Sequence, residues 1–213
     1  MISPAQERQI RVLIADDHPL MREGLANVVL QEADMKIVAE ADTGRSALQL
    51  YAEHKIDVVV MDVRMPDLDG VEACAAMREL DPRAKIVMLS TFGGDVQVLR
   101  ALKAGASAYL LKSAVRDDLL SAIRIVEAGG RFVSPEIAET LSAHVLDDLL
   151  SDREVEVLKR VAEGRSNKSV AQELDVCENT VKAHMKNITQ KLSARDRTHA
   201  VMIALKRGFL ETF

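Results

Sequence analysis

Val58-Val59-Val60-Met61-Asp62 is four apolar residues closed by a carboxylate, and it sets the reading of everything before residue 130. A run this short and uniformly apolar fits a strand covered on both faces, as at the centre of a parallel sheet. Working outward, residues 10–15, 36–40, 57–62, 85–90 and 108–112 are rich in Val, Ile, Leu and Met and are all of strand length. Between them, residues 19–31, 44–54, 71–80, 95–104 and 115–128 carry apolar residues at helical spacing. Five strand–helix units in succession predict an α/β domain with a five-stranded, doubly wound parallel sheet and helices on both faces. Such sheets hold their ligands beyond the carboxyl ends of the strands, so the residue ending each run carries the functional information.

After Gly129-Gly130 the pattern changes. Ser134-Pro135-Glu136 predicts a helix start and residues 137–150 a linker helix of mixed polarity; from Asp152 onward no strand pattern remains. Four helical segments follow, interrupted at Gly164, at 175–177 and at Ser193-Ala194. The expected organisation is a first domain over residues 1–130, a partly helical linker over 131–148 and a small all-α domain over 149–213. A chain of 213 residues, 48% apolar, can fill two packed cores.

The net charge of -5 is unevenly distributed. Residues 1–130 carry 15 Lys and Arg against 20 Asp and Glu, residues 131–150 carry 1 against 4, and residues 151–213 carry 12 against 9. An acidic front and a basic back suit an acidic site joined to a phosphate-binding module. No stretch approaches the roughly 20 apolar residues of a membrane span, and residues 1–9 hold no apolar run, so a cytoplasmic location is expected. Cys74 and Cys177 lie far apart and outside any metal-binding spacing, which predicts two reduced, unlinked thiols.

The strand ends give a defined set: Asp16 and Asp17 after the first run, Asp62 after the third, Ser90 after the fourth and Lys112 after the fifth. One Asp at a strand end is ordinarily a solvated loop residue; five such groups in this order at one sheet edge are not explained that way. Clustered carboxylates raise one another's pKa unless a cation lies among them, which points to a hard divalent ion such as Mg2+. A hydroxyl and an ammonium facing the same space would satisfy a phosphoryl group, so the set suits an acyl phosphate. A phosphotransferase of the haloacid dehalogenase type also uses a nucleophilic Asp with Mg2+. It needs a second Asp two residues on, however, and that position is Arg64.

IADDHPLMREGL (14–25), VVVMDVRMPDLDG (58–70), KIVMLST (85–91) and GASAYLLK (105–112) together resemble response-regulator receivers. The resemblance implies a flavodoxin-like domain in which Asp62 is the phospho-acceptor, Asp17 a direct Mg2+ ligand, Asp16 a ligand through water and the Arg64 backbone carbonyl another. Ser90 would be the switch hydroxyl, Lys112 the phosphate partner and Tyr109 the rotamer switch. Such a chain is not an enzyme beyond its own phosphorylation and dephosphorylation. Ser113 stands where many receivers have a proline after a cis bond; without proline that bond costs about 3 kcal/mol, so a trans or strained bond is expected. His18 could relay phosphate, although this tetrapeptide is ordinary at such a helix start, and Pro19 fits the first helical position. Asp67 and Asp69 are expected to serve turn chemistry, with Gly70 supplying flexibility.

In the C-terminal region Val181, Met185, Ile188 and Leu192 recur at helical spacing as one apolar stripe. The opposite face shows Lys182, Ala183, Lys186, Asn187 and Gln190, with no acidic residue between Glu178 and Arg195. A basic, amide-bearing face with a small residue at its centre can enter a major groove, where lysine reads guanine and asparagine or glutamine reads adenine. Residues 166–174, with Ser166 as N-cap, precede it across a tight turn at 175–177, giving a helix-turn-helix. This region resembles the DNA-binding domain of the LuxR family, and the whole chain resembles the NarL/FixJ response regulators. The likeness implies that Lys182, Ala183 and Lys186 face base edges, with Asn187 beside them, and that Asn167, Lys168, Thr180 and Lys191 hold phosphates.

Cys177 stands where a capping Ser is usual, at a cost of something like 1 kcal/mol. The last helix, about 195–207, ends at Gly208 as C-cap, and its Val201, Ala204 and Leu205 can cover the core or a second copy. The resemblance further implies a sensor histidine kinase and a double-stranded operator of two-fold character as partners, with homodimerisation on phosphorylation or DNA binding. A receiver serving only as a phosphorylation-independent docking module is the alternative.

Overall fold

The structure, a computed structural model, describes residues 8–144 and 149–210. These form two compact units, residues 8–93 with 98–138 and residues 94–97 with 139–210.

In the first unit β1 (Ile10–Ala15), β2 (Met35–Ala41), β3 (Val58–Asp62), β4 (Ile86–Ser90), β5 (Ala108–Leu111) and β6 (Phe132–Val133) make one parallel sheet. Its order is β2-β1-β3-β4-β5-β6. The connecting helices are α1 (Pro19–Leu30), α2 (Gly44–Glu53), α3 (Gly70–Leu80), α4 (Asp95–Lys103, of which residues 98–103 fall in this unit) and α5 (Val115–Glu127). All five residues of β3 are buried, as a strand covered on both faces requires. Side chains alternate across a strand. Val58 and Val60 therefore pack with Leu25 and Val29 of α1 and Leu119, Ile123 and Val126 of α5. Val59 and Met61 point to the other face and are equally shut from water. Each such side chain contributes about 1.5–3 kcal/mol on burial.

The five expected strands form the sheet, and β6 adds a short sixth at its edge. Its two residues extend the sheet along β5, pairing Ala108 with Phe132 and Tyr109 with Val133, and two residues are too few to show any periodicity. Helix starts follow local chemistry. Pro19 opens α1, Thr43 and Ser46 form a reciprocal capping box on α2, and the Asp69 carboxylate accepts the Glu72 N–H at 2.7 Å to cap α3. Asp67 takes a left-handed conformation (φ 66°) in the turn before it, so both acids do serve the turn. Gly70 is needed for a reason other than flexibility: a Cβ there would lie 2.0 Å from the Asp62 carbonyl oxygen, inside van der Waals contact.

The winding places the site. From β1 the chain goes to β2 on one side and then crosses to β3 on the other, which opens a crevice at the carboxyl ends of β1 and β3. Asp16 and Asp17 follow β1 at that crevice, and Asp62 ends β3.

The linker helix is shorter than expected: α6 runs Pro135–Ala143, Leu149 and Leu150 are not helical, and residues 145–148 of the expected helix lie outside the described residues. The second unit then holds α7 (Asp152–Ala162), α8 (Asn167–Glu173), α9 (Glu178–Lys191) and α10 (Arg197–Arg207). Val157, Leu158, Val161, Val170, Val181, Ile188, Ala200 and Ala204 form its core. Ser151 and Glu154 make a reciprocal capping box on α7, and Ser166 caps α8 by accepting the Ser169 N–H. α10 begins two residues later than expected because the Asp196 carboxylate caps it, and Gly208 ends it in the left-handed region. Cys74 is buried and Cys177 exposed, and both are free thiols.

Candidate functional site

Of the five strand-end residues, Asp16, Asp17, Asp62 and Lys112 converge, and Ser90 ends β4, the strand between β3 and β5. Asp16, Asp62 and Ser90 are buried polar groups, and Lys112 directly follows β5. The Lys112 ammonium lies 2.7 Å from Asp62 Oδ2 and 2.7 Å from Asp16 Oδ2, bridging the two carboxylates. It hydrogen-bonds Asp62. Its contact with Asp16 is an ion pair without hydrogen-bond geometry, which leaves Asp16 Oδ2 buried with no hydrogen-bond partner. Asp16 Oδ1 accepts the His18 backbone N–H at 2.9 Å, and Arg22 donates to the Asp16 carbonyl at 2.7 Å, so the loop after β1 is held from both ends. His18 Nδ1 sits 2.6 Å from Asp17 Oδ1, and its ring is mostly exposed.

Burial pushes the Asp62 carboxyl above its ordinary pKa, with the Lys112 contact pulling the other way. Burial also opposes the charge of Lys112, but the two carboxylates outweigh it and raise its pKa. Ligand atoms from Asp16, Asp17, His18 and Asp62 all lie within 4.8 Å of one another. Three carboxylates, two of them sharing the single Lys112 ammonium, form a hard-oxygen set that fits a small divalent cation.

The hydroxyl side of the pocket is tied to one residue. Ser90 Oγ accepts the Phe92 backbone N–H at 3.1 Å, and the Tyr109 hydroxyl donates to the Phe92 carbonyl at 3.1 Å. Tyr109 is fully buried, which pushes its phenol up to about 12. The Arg64 guanidinium lies 5.2 Å from the centre of the Phe92 ring. The sequence reading missed Phe92 because nothing in an isolated Phe after a strand end shows that two hydroxyls meet its backbone. The bond after Lys112 is trans, the unstrained of the two expectations for Ser113.

In the second unit α8 and α9 are joined by a turn in which Asp175 is left-handed (φ 52°). Val181, Ile188 and Leu192 are buried and Met185 packs at their edge, as the stripe requires. Lys182, Ala183, Lys186, Asn187 and Gln190 lie on the outward side of α9, and Lys168 is exposed on α8. Asn167 and Thr180 are half-buried at the starts of their helices. Cys177 makes no side-chain cap; its Sγ instead meets Thr180 Oγ1 at 2.9 Å.

Lys191 differs from the others. Its ammonium contacts Glu154 Oε2 at 2.9 Å and the Leu149 carbonyl at 3.2 Å, so it is engaged within the helical unit in this structure. Ser151-x-x-Glu154 is a capping-box spacing that anchors the acid, but nothing in the sequence pairs it with a lysine 37 residues on. On α10, Ala204 is buried, and Val201 and Leu205 pack against the same core. Met202 is the large apolar side chain that this helix exposes.

A family model described as the response regulator receiver domain matches residues 12–124, and one described as bacterial regulatory proteins, luxR family, matches residues 148–204. The chain is 33% identical to the transcriptional regulatory protein DegU of Brevibacillus brevis, over 99% of both proteins. It is 37% identical to the uncharacterized transcriptional regulatory protein YxjL of Bacillus subtilis, over 95% of this chain and 98% of that one. Among solved structures, the response regulator ChrA of a heme-sensing two-component system is 35% identical, with a TM-score of 0.57, over 95% of this chain and 99% of that one.

Proposed function

Because the chain belongs to the DNA-binding response regulators, which join a receiver domain to a LuxR-type helix-turn-helix, we propose that Asp62 takes a phosphoryl group from a sensor histidine kinase and that the second unit then reads an operator. The observation that carries this is Lys112, whose ammonium sits 2.7 Å from both Asp62 and Asp16 at the sheet's switch point.

An Asp62 carboxylate oxygen attacks the phosphorus of the kinase's phosphohistidine. The new P–O bond forms as the P–N bond breaks, and the departing imidazole nitrogen keeps the electron pair and takes up a proton. Lys112 turns from carboxylate to phosphoryl oxygen, and Ser90 donates its hydroxyl to another. Asp16, Asp17 and Asp62, with the Arg64 carbonyl, would hold Mg2+, which would supply the remaining charge compensation when bound. The added charge is a local event and acts on DNA binding by biasing an equilibrium between two arrangements.

For DNA, Lys182, Ala183, Lys186 and Asn187 meet base edges, while Asn167, Lys168 and Thr180 hold phosphates. Two copies on paired half-sites account for an operator with two-fold character. The reaction is confined to the chain's own Asp62, so it is a switch rather than an enzyme, working in the cytoplasm where kinase and operator meet. No helix among the described residues is long and apolar enough to cross a membrane.

The test is the affinity of the full chain for a selected operator with and without beryllium fluoride and Mg2+. Tighter or looser binding supports the reading; an unchanged affinity favours a receiver that only docks a partner.

A further inference from the structure

The helix that reads as the groove element opens on an acid. Glu178 is the first residue of α9, and its Oε1 lies 2.8 Å from Nζ of Lys182, one turn further along. Both side chains are exposed. The Lys182 ammonium holds the Glu178 carboxyl below its ordinary range, and the charge of Lys168 on α8 acts in the same sense. Lys168 and Lys186 make no ion pair of their own among the described residues. Lys182 thus meets DNA with its charge already answered, and those two lysines do not.

We infer that Glu178 is a specificity-determining residue, which withholds Lys182 from DNA phosphates and yields it to a base edge. Helix stability alone accounts for an acid at this position, since it complements the helix dipole and an i,i+4 lysine. Its consequence for binding is separate. Away from the operator, affinity comes from lysines and arginines that displace the counterions of the DNA backbone. Lys182 can join them only by leaving Glu178 as an unpaired negative charge against that same backbone, so the pair enters as a neutral unit and releases no counterion. At a guanine the ammonium gains hydrogen bonds to O6 and N7, which oppose the loss of the pair. Lys182 thereby adds to operator affinity and little to affinity elsewhere, and the ratio between the two widens.

This rests on the reading of α9 as the groove helix, and the experiment separates the two. Binding of the full chain is measured by fluorescence anisotropy over a range of salt, on a duplex selected from a random pool and on a random duplex of equal length. Glu178→Gln keeps the shape of an exposed side chain and removes its charge, and helical circular dichroism reports that each variant is folded. Its affinity for the random duplex is expected to rise about three- to six-fold at about 0.15 M salt, and its slope of log affinity against log salt to steepen by about 0.9, one further phosphate. On the selected duplex the slope is unchanged and the affinity rises less, so the ratio narrows. In the Lys182→Ala background Glu178→Gln leaves the random-DNA slope where it was.

No gain on random DNA, equal gains on the two duplexes, or the same steepening with Lys182 absent overturns the restraint alone. A loss of affinity for the selected duplex makes Glu178 a base contact and overturns it too. A wild type that binds both duplexes alike, or neither, overturns the groove reading and the restraint with it.

Discussion

Lys191 Nζ lies 2.9 Å from Glu154 Oε2, joining the end of α9 to the start of α7 across 37 residues. The glutamate side chain is almost wholly buried and already accepts the Ser151 N–H, so the lysine completes its neutralisation. Removing one partner of such a pair leaves the other charge uncompensated. Lys191→Met is expected to destabilise the helical unit by about 2 kcal/mol, with discounting for the lysine's partial exposure. Urea unfolding followed by helical circular dichroism measures this; a midpoint unchanged from wild type contradicts it.

The same pair gives a pH dependence. Burial resists ionisation of Glu154, but Lys191 and the Ser151 N–H outweigh it and hold the carboxyl below its ordinary range. A depressed folded-state pKa means the stabilisation is present above the unfolded value, near 4.5, and is lost as pH falls through the lower folded value. Glu154→Gln is therefore expected to flatten the acid limb of the stability curve between the unfolded value, near 4.5, and the lower folded value. Unfolding midpoints measured across that range check it.

Lys112 contacts two buried carboxylates directly, at 2.7 Å each. Lys112→Met in Mg2+-free buffer is expected to cost about 3 kcal/mol, because both acids lose their counter-charge. Added Mg2+ is expected to raise the melting temperature of the variant more than that of the wild type, since the cation then supplies what the ammonium did. Equal increments in the two proteins would show that the carboxylates do not form the cation site.

Two glycines of the first unit respond oppositely to alanine. Gly24, in mid-α1, has nothing within 4 Å of where a Cβ would stand, and Gly24→Ala is expected to stabilise by about 0.4–1 kcal/mol through helix propensity and chain entropy. Gly70→Ala puts that carbon 2.0 Å from the Asp62 carbonyl oxygen and is expected to cost about 1–3 kcal/mol and to misplace Asp62. Thermal melts together with the phosphorylation rate check both.

On α9, Lys182 is exposed and makes an i,i+4 pair with Glu178. Lys182→Ala is expected to weaken operator binding by about 1–3 kcal/mol more than binding to random DNA. Lys168→Ala is expected to weaken both alike and to lower the salt slope by about 1. Fluorescence anisotropy on the two DNAs distinguishes them; parallel losses in both variants contradict the assignment of base and phosphate contacts.

The sheet and its acidic edge were legible because both are written locally. An all-apolar β3 can sit only at the middle of a parallel sheet, and Asp16, Asp17, Asp62, Ser90 and Lys112 each stand where a run ends, so topology alone gathers them. The apolar stripe of α9 likewise fixed which face is outward, and with it the exposure of Lys182 and Lys186. What stayed hidden depends on encounters between distant residues. Gly70 reads as a turn residue until the Asp62 carbonyl is placed against it, and Lys191 reads as a surface lysine until α7 is packed beside α9. β6 pairs only along β5, where two residues leave no pattern. Phe92 gains its place from backbone atoms, which every residue has, so side-chain identity gave no sign of it.

The most direct test treats the full chain with acetyl phosphate and Mg2+ and maps the modified residue by mass spectrometry. One added phosphoryl group on the peptide containing Asp62, absent in Asp62→Ala, is the expected result. Labelling that persists in Asp62→Ala, or that falls on another residue in the wild type, contradicts the account.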